Sequence, residues 1–569
     1  MRKSIRALLA RLPLQFRVLF HQFLLRVVDL EALSIQADVI GFLGQFAGVL
    51  IMLSIVFVVR LVVPTLMMPP AEVPAFLRGV AWSLEQLTIS TMMLVVGLIT
   101  VITWDATFPD RRDVMVLSPL PIAPLTILCA KVSASLSVLG LAVLMLNLGT
   151  GLVYPSLLGT LHGSLWGVPR FCAAYWFTMA ATSLFVYGSV LSVQGFTALL
   201  LPRRIFMRLS AILQLGAFGL FLGLYFLSPT LPTLAAYQAH ENLWWLSCSP
   251  TYWFVALFNQ LNGTLASELA WLALRAWIAL GIVIVGAAAS LFLCYMRTMK
   301  KTVEEPDLVP GARGLHWAPH FGSPLQTAVV LFSFRSLTRS RQHRVAFAFF
   351  LAIVFAIALA LLRGELSVAA PGSLSPDFLM STYLMMAFAI LGLLSVFSLP
   401  ISLTANWVLR TTQVCPSQEY IAATRQSLLA LAVVPVWLVS ALLSFSFRPF
   451  AQVAGHWIVL ALIGYILAEI SLIGFYKVPF TCSFLPGKTN FQLVFWGFLV
   501  LFVTVAVPFM SQEWQALHDL FQYACMVAVL VCAASVLWAF NRNRAKSAVL
   551  YFEELPDEVI TTLGLISSS

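Results

Sequence analysis

The chain has 569 residues, of which 60% are hydrophobic and only 10% charged, and its mean hydropathy is +0.94. A soluble domain carries about 25% charged residues, so this composition excludes a water-solvated surface and calls for a bilayer as solvent. The net charge of +10 needs no nucleic acid, because basic residues flanking apolar spans meet the anionic inner leaflet.

Met1 to Leu30 alternates Arg2, Lys3, Arg6, Arg11, Arg17 and Arg26 with Leu and Phe. It lacks the uninterrupted apolar core of a signal peptide. Counted from Gln15, Arg17, His21, Gln22 and Arg26 share one side of a helical wheel, which predicts an interfacial helix lying on the cytoplasmic face.

Twelve apolar stretches then approach the roughly 20 residues that cross a bilayer. The first six cover approximately 38–63, 81–104, 131–153, 170–198, 209–228 and 269–296. The second six cover approximately 345–363, 378–402, 427–446, 455–475, 491–510 and 519–540. With the N-terminus inside, the Lys and Arg residues fall in or beside cytoplasmic segments, except Arg60, Arg78, Arg170, Arg275, Arg363 and Arg448. The loop 229–268 has no Lys or Arg, whereas 297–344 has eight, and that asymmetry sets the orientation. Both termini are thus expected in the cytoplasm, and the chain in a bacterial cytoplasmic (inner) membrane.

Residues 300–323 are polar and contain Pro and Gly, which marks them as a linker between halves 1–299 and 324–545. Residues 546–569 read as an acidic cytoplasmic tail. Pro13-Leu14-Gln15 opens the first half and Pro324-Leu325-Gln326 the second. Arg335 and Arg339 stand one turn apart beside Leu331, Phe332 and Leu337, which predicts a second interfacial helix. The expected fold is therefore an all-α polytopic membrane protein of about twelve transmembrane helices, arranged as two six-helix repeats, each led by an amphipathic helix. Six spans per half give both halves the same direction, related by a pseudo-two-fold along the membrane normal, with a substrate path at the seam.

The cytoplasmic segment after the second span runs Trp104-Asp105, then Phe108-Pro109-Asp110-Arg111-Arg112-Asp113, then through Ser118-Pro119 to Lys131. Its counterpart in the second half has Trp407, Arg410, Pro416, Ser417, Glu419, Ile421 and Arg425. A charged run, a short apolar stretch, a Pro-bearing turn and a basic residue at the next span form a lateral segment able to receive a push from a soluble partner. A snorkelling charged loop is the plainer alternative.

On these residues the chain resembles the type-2 permease family of ATP-binding-cassette (ABC) exporters. Asp110, Arg111, Arg112, Asp113, Ser118, Pro119, Ile127 and Lys131 match the family's loop between spans two and three, and Pro416, Ser417, Glu419, Ile421 and Arg425 match it more weakly. The family's usual Gly-Thr after the charged run is missing from both copies. SPTYWFVALF, residues 249–258, lies where the family has short re-entrant helices, and the second half offers only Ser511 to His518 there. The resemblance implies a permease without its own ATPase, coupled through these loops to a separate nucleotide-binding subunit, in two copies, that binds ATP and Mg. The chain itself is expected to hold no cofactor and no metal.

Other motifs weigh less. Pro486-Gly487-Lys488-Thr489 resembles the end of a phosphate-binding loop, but Cys482 stands where the full pattern needs Gly. His316 and His320 have helical metal-ligand spacing inside a Pro- and Gly-rich stretch that reads as a loop. Asn262-Gly263-Thr264 is a glycosylation sequon of a kind that arises often by chance. Eight cysteines form no CxxC, and neither an HExxH nor a nucleophile elbow occurs. Charged residues inside spans matter more, since exposing one to lipid costs at least ~2.5 kcal/mol. Glu85 and Arg275 are expected to face the protein interior and pair, and Glu469 to line the pathway or fix span packing. Interface snorkelling is the alternative for the first two. An ion-coupled twelve-helix carrier is the second functional reading, and a lipid-modifying membrane enzyme a distant third.

Overall fold

The computed structural model describes residues 14–28, 39–69, 71–104, 117, 119–160, 167–227, 248–304, 320–366, 374–401, 417–445, 449–481, 491–547 and 550. Among them the ordered structure is entirely helical, with no strand. Among the described residues, nine helical segments are long and apolar enough to cross a membrane. Their surfaces agree with a lipid setting: Leu66, Leu442, Phe521 and Val529 are all exposed, while Ser and Thr hydroxyls turn back onto their own helices. Thr178 donates to Ala174 O at 2.8 Å and Ser183 to Met179 O at 2.6 Å, which satisfies a hydroxyl without water.

Contacts divide the chain into two compact units, Met1–Ala312 and Arg313–Ser569. Unit one contains α1 (Leu14–Val28), α2 (Val39–Met67), α3 (Val73–Ile102), α4 (Pro124–Leu146), α5 (Thr150–Thr160), α6 (Gly167–Leu200), α7 (Arg203–Leu227), α8 (Pro250–Asn262) and α9 (Ala270–Glu304). The leading helix α1 packs along α4, and α2 packs on α4 and α5. Helices α6 and α9 approach closely through small residues: a Cβ on Gly188 would meet Val283 Cγ1 at 2.5 Å, and one on Gly195 would meet Ser290 Cβ at 2.7 Å. Such positions let two apolar helices bring their backbones together.

Helix α8 has Tyr252, Phe254, Val255, Ala256 and Leu257 all fully buried, and it packs on α3, α6 and α9. It starts at Ser249-Pro250, with proline in the first turn where no amide donor is missed. It ends at Gly263, whose φ of +72° suits glycine. There Thr264 N donates to Asn259 O at 2.9 Å and Gly263 N to Gln260 O at 3.1 Å, closing the last carbonyls. Arg170 Nε donates to Leu261 O at 2.9 Å at the same end.

Unit two contains α10 (Pro324–Arg339), α11 (Arg341–Leu366), α12 (Pro376–Phe397), α13 (Ser417–Leu428), α14 (Val434–Ser444), α15 (Phe450–Ser471), α16 (Phe491–Ala516) and α17 (Leu520–Ser547). The Pro-Leu-Gln reading finds its cause here. Ser323 Oγ accepts from Gln326 N at 3.3 Å, and Gln326 Oε1 accepts from Ser323 N at 3.1 Å, a reciprocal cap for α10. Helix α10 packs along α13, as α1 does along α4. The first long helices differ: α11 lies against α12, whereas α2 lies against α4.

The third span-like element is interrupted in both units. In unit one a turn at 147–149 separates α4 from α5. In unit two a π turn, Leu429–Val433, joins α13 to α14, just ahead of Pro435, which has no amide proton to continue the ladder.

Candidate functional site: buried polar clusters in each unit

Each unit buries a carboxylate toward the end opposite its leading helix. In unit one it is Glu85 of α3, 4% exposed. Tyr154 of α5 donates to Glu85 Oε1 at 2.9 Å and Asn259 of α8 donates to Oε2 at 2.6 Å. Two donors from two other helices supply what a buried carboxylate needs to stay out of water. Thr264 donates to Asn259 Oδ1 at 2.7 Å, which orients the amide.

Beside this cluster lies the interruption of α4 and α5. Ser54 Oγ of α2 accepts the backbone amides of Gly149 at 3.0 Å and Thr150 at 3.1 Å. Tyr175 of α6 donates to Asn147 Oδ1 at 2.8 Å and has Thr150 Oγ1 at 3.0 Å. The rings of Tyr154 and Tyr175 are 6.4 Å apart, and both contact Phe258 of α8. Ser54, Tyr175, Tyr154 and Glu85 thus form one polar seam through four helices inside an apolar core.

In unit two the corresponding carboxylate is Glu513 of α16, fully buried. Tyr383 of α12 donates to Glu513 Oε2, and His456 Nδ1 of α15 lies 3.0 Å from Oε1. Thr382 Oγ1 lies 3.1 Å from His456 Nε2. The partners are exchanged relative to unit one, with tyrosine on the second long helix and the carboxylate on the element reaching that end.

A second buried charge lies near the leading helix of unit two. Arg425 Nε of α13 is 2.7 Å from Glu469 Oε1 of α15, and Arg425 Nη2 donates to Oε2 at 3.4 Å. Asn541 of α17 donates to Glu469 Oε2 and to its backbone carbonyl, each at 2.8 Å. These bonds tie three helices together at one point.

The residues singled out in the sequence are distributed accordingly. Arg425 and Glu469, expected in separate roles, meet. Glu85 faces the interior, but its partners are Tyr154 and Asn259 rather than Arg275. Arg275 lies on the exposed side of α9, its guanidinium 4.5 Å from the Trp271 ring, because that ring offers a face to the cation at the helix surface. Lys131 is buried at the start of α4, with Nζ 5.1 Å from the Phe23 ring of α1. Pro119 is exposed in the turn before α4, and Glu419 is half-buried in the first turn of α13. Asp110, Arg111, Arg112, Asp113 and Pro416 lie outside the described residues, as does the Pro486–Thr489 fragment.

Sequence reasoning missed Tyr154, Asn259, Tyr175, Tyr383, His456 and Glu513. The available signal was a His and a Glu in or beside apolar runs, His456 and Glu513, the latter assigned to a loop. Among the described residues no three His, Cys, Asp or Glu side chains converge as metal ligands. No protein-family model matches the chain, and neither does any curated protein or solved structure.

Proposed function

We propose that this chain is the permease subunit of an ABC-type exporter. It moves an unidentified substrate using ATP hydrolysed by a separate nucleotide-binding subunit, present in two copies, with ATP and Mg bound there. On this reading Arg203–Leu227, Arg341–Leu366 and Phe491–Ala516 join the nine apolar segments as spans. That makes twelve in two repeats, in a bacterial inner membrane with both termini cytoplasmic. The loops around Asp110–Asp113 and Pro416 receive the push of the ATPase.

One observation carries the reading. In both units an amphipathic leading helix rests along the helix that follows the charged loop, α1 on α4 and α10 on α13. Lys131 over Phe23 fastens the first pair, and Gln426 donating to Gln326 Oε1 at 3.0 Å fastens the second. A lever lying on the first turns of a span is suited to pass a push from below the bilayer into the bundle. The buried ion pair of Arg425 and Glu469 extends that connection to α15 and α17.

The test is gentle purification followed by identification of what accompanies the chain, then replacement of Asp110–Asp113 by neutral residues. A co-purifying ATPase whose hydrolysis persists while transport is lost supports the proposal. Unchanged coupling, or transport abolished by dissipating a proton gradient with no ATPase present, favours the ion-coupled carrier instead.

A further inference from the structure

The His456–Glu513 contact can be read by counting hydrogens. Thr382 Oγ1 spends its only hydrogen on Leu379 O, 2.7 Å away. Its oxygen is therefore left to accept, so the His456 Nε2 that faces it at 3.1 Å carries a hydrogen. Tyr383 donates its phenolic hydrogen to Glu513 Oε2. What remains is the 3.0 Å line between His456 Nδ1 and Glu513 Oε1. A hydrogen bond there needs one further proton, held as the carboxylic acid or as the imidazolium. Without it two lone pairs face each other, and a carboxylate charge stays fully buried with one donor. That arrangement is strongly unfavourable in a low-dielectric interior.

The other titratable groups around this line do not supply the missing charge. Glu513's bonded side-chain partners are Tyr383 and His456, with no Lys or Arg among them. Tyr523 of α17 donates to Gly455 O at 3.0 Å. His518 Nδ1 pairs with Trp514 O at 2.8 Å, Asp519 accepts from Phe521 N, and Asp377 is exposed at the start of α12. One residue beyond Glu513, the chain opens onto a shallow pocket of about 430 Å³ lined by Trp514, Gln515, His518, Asp519 and Gln522.

We propose that His456 and Glu513 form a proton-binding site that holds one exchangeable proton while the two side chains are in contact and gives it up as they separate. The proton comes from solvent when the contact opens and settles on Oε1 or Nδ1. It returns to solvent when the contact opens again, with no other bond made or broken. The site is independent of how transport is powered.

The test compares melting temperature against pH for the purified wild-type chain, Glu513→Gln, His456→Gln and Glu469→Gln. Unfolding in alkaline buffer releases the proton, so the wild type should lose melting temperature as pH rises above neutral. In Glu513→Gln the amide can donate to Nδ1 and its oxygen accept from Tyr383, which copies the occupied site without an exchangeable proton. That variant should lack this part of the slope, His456→Gln likewise, while Glu469→Gln retains it. Parallel curves for wild type and Glu513→Gln overturn the proposal. If neither substituted chain folds, nitrogen NMR of labelled histidine in the wild type decides. One imidazole whose Nδ1 signal moves with pH while Nε2 stays protonated supports the site, and no such imidazole overturns it.

Discussion

Glu469 is fully buried and Arg425 only 14% exposed, so removing one partner costs more than removing both. Breaking a buried pair by deleting one charge typically costs about 3–5 kcal/mol. Glu469→Ala should therefore lower the thermal midpoint strongly, and Arg425→Ala with Glu469→Ala together should fall short of the sum, as measured by a double-mutant cycle in detergent. Tyr154→Phe leaves Glu85 with Asn259 alone and is expected to cost about 1–3 kcal/mol. Glu85 and Glu469 were legible in the sequence because an acid inside an apolar run is expensive and so stands out. Tyr154, Tyr175 and Asn147 were not, because Tyr and Asn are ordinary in such runs and only the packing reveals their partners. Glu513 escaped for another reason: hydropathy fades near residue 510, yet α16 continues to Ala516.

Among the elements, the leading helices were the most readable. Pro-Leu-Gln marked the start of α10 at Pro324, and the cap that makes it a start is the Ser323–Gln326 pair. Ser323→Ala should destabilise that end by about 1 kcal/mol, seen as earlier amide exchange in α10 with the remaining helices unchanged. The seam between α6 and α9 is stricter. Gly195 has no room for a larger side chain beside Ser290, and overpacking typically costs about 1–3 kcal/mol. Gly195→Val should lower the midpoint in a melting assay, whereas Gly216→Ala, at a glycine with open space around its Cβ position, should change it little. The π turn before Pro435 was not foreseen, since the run reads as one uninterrupted span. Its cause is local, but periodicity alone does not expose it.

At the level of the whole molecule, the two units each have their own hydrophobic core, and their dividing point at Ala312 falls inside the polar segment 300–323. A chain severed there and co-expressed as two fragments should yield two helical membrane-inserted pieces, each with its own melting transition. A single fragment that is degraded when expressed alone would argue against independent cores. The all-helical membrane character and the division near residue 312 were legible through the apolar runs and the polar segment 300–323, which depend only on the bilayer and on chain composition. What escaped was how differently the two units build their buried polar clusters. Helix α8 supplies Asn259 to the cluster of the first unit, while the far end of α16 supplies Glu513 to that of the second.

The sealed last turn of α8 bears on how this protein is made. Asn262 is only 6% exposed and sits inside the acceptor triplet Asn262-Gly263-Thr264, so an oligosaccharide transferase has no access to it in the folded unit. In a eukaryotic host that presents this face to the lumen, sugar attached at Asn262 would label chains that stalled before this unit had folded. The fraction carrying it would thus report how quickly the nascent protein finishes its assembly.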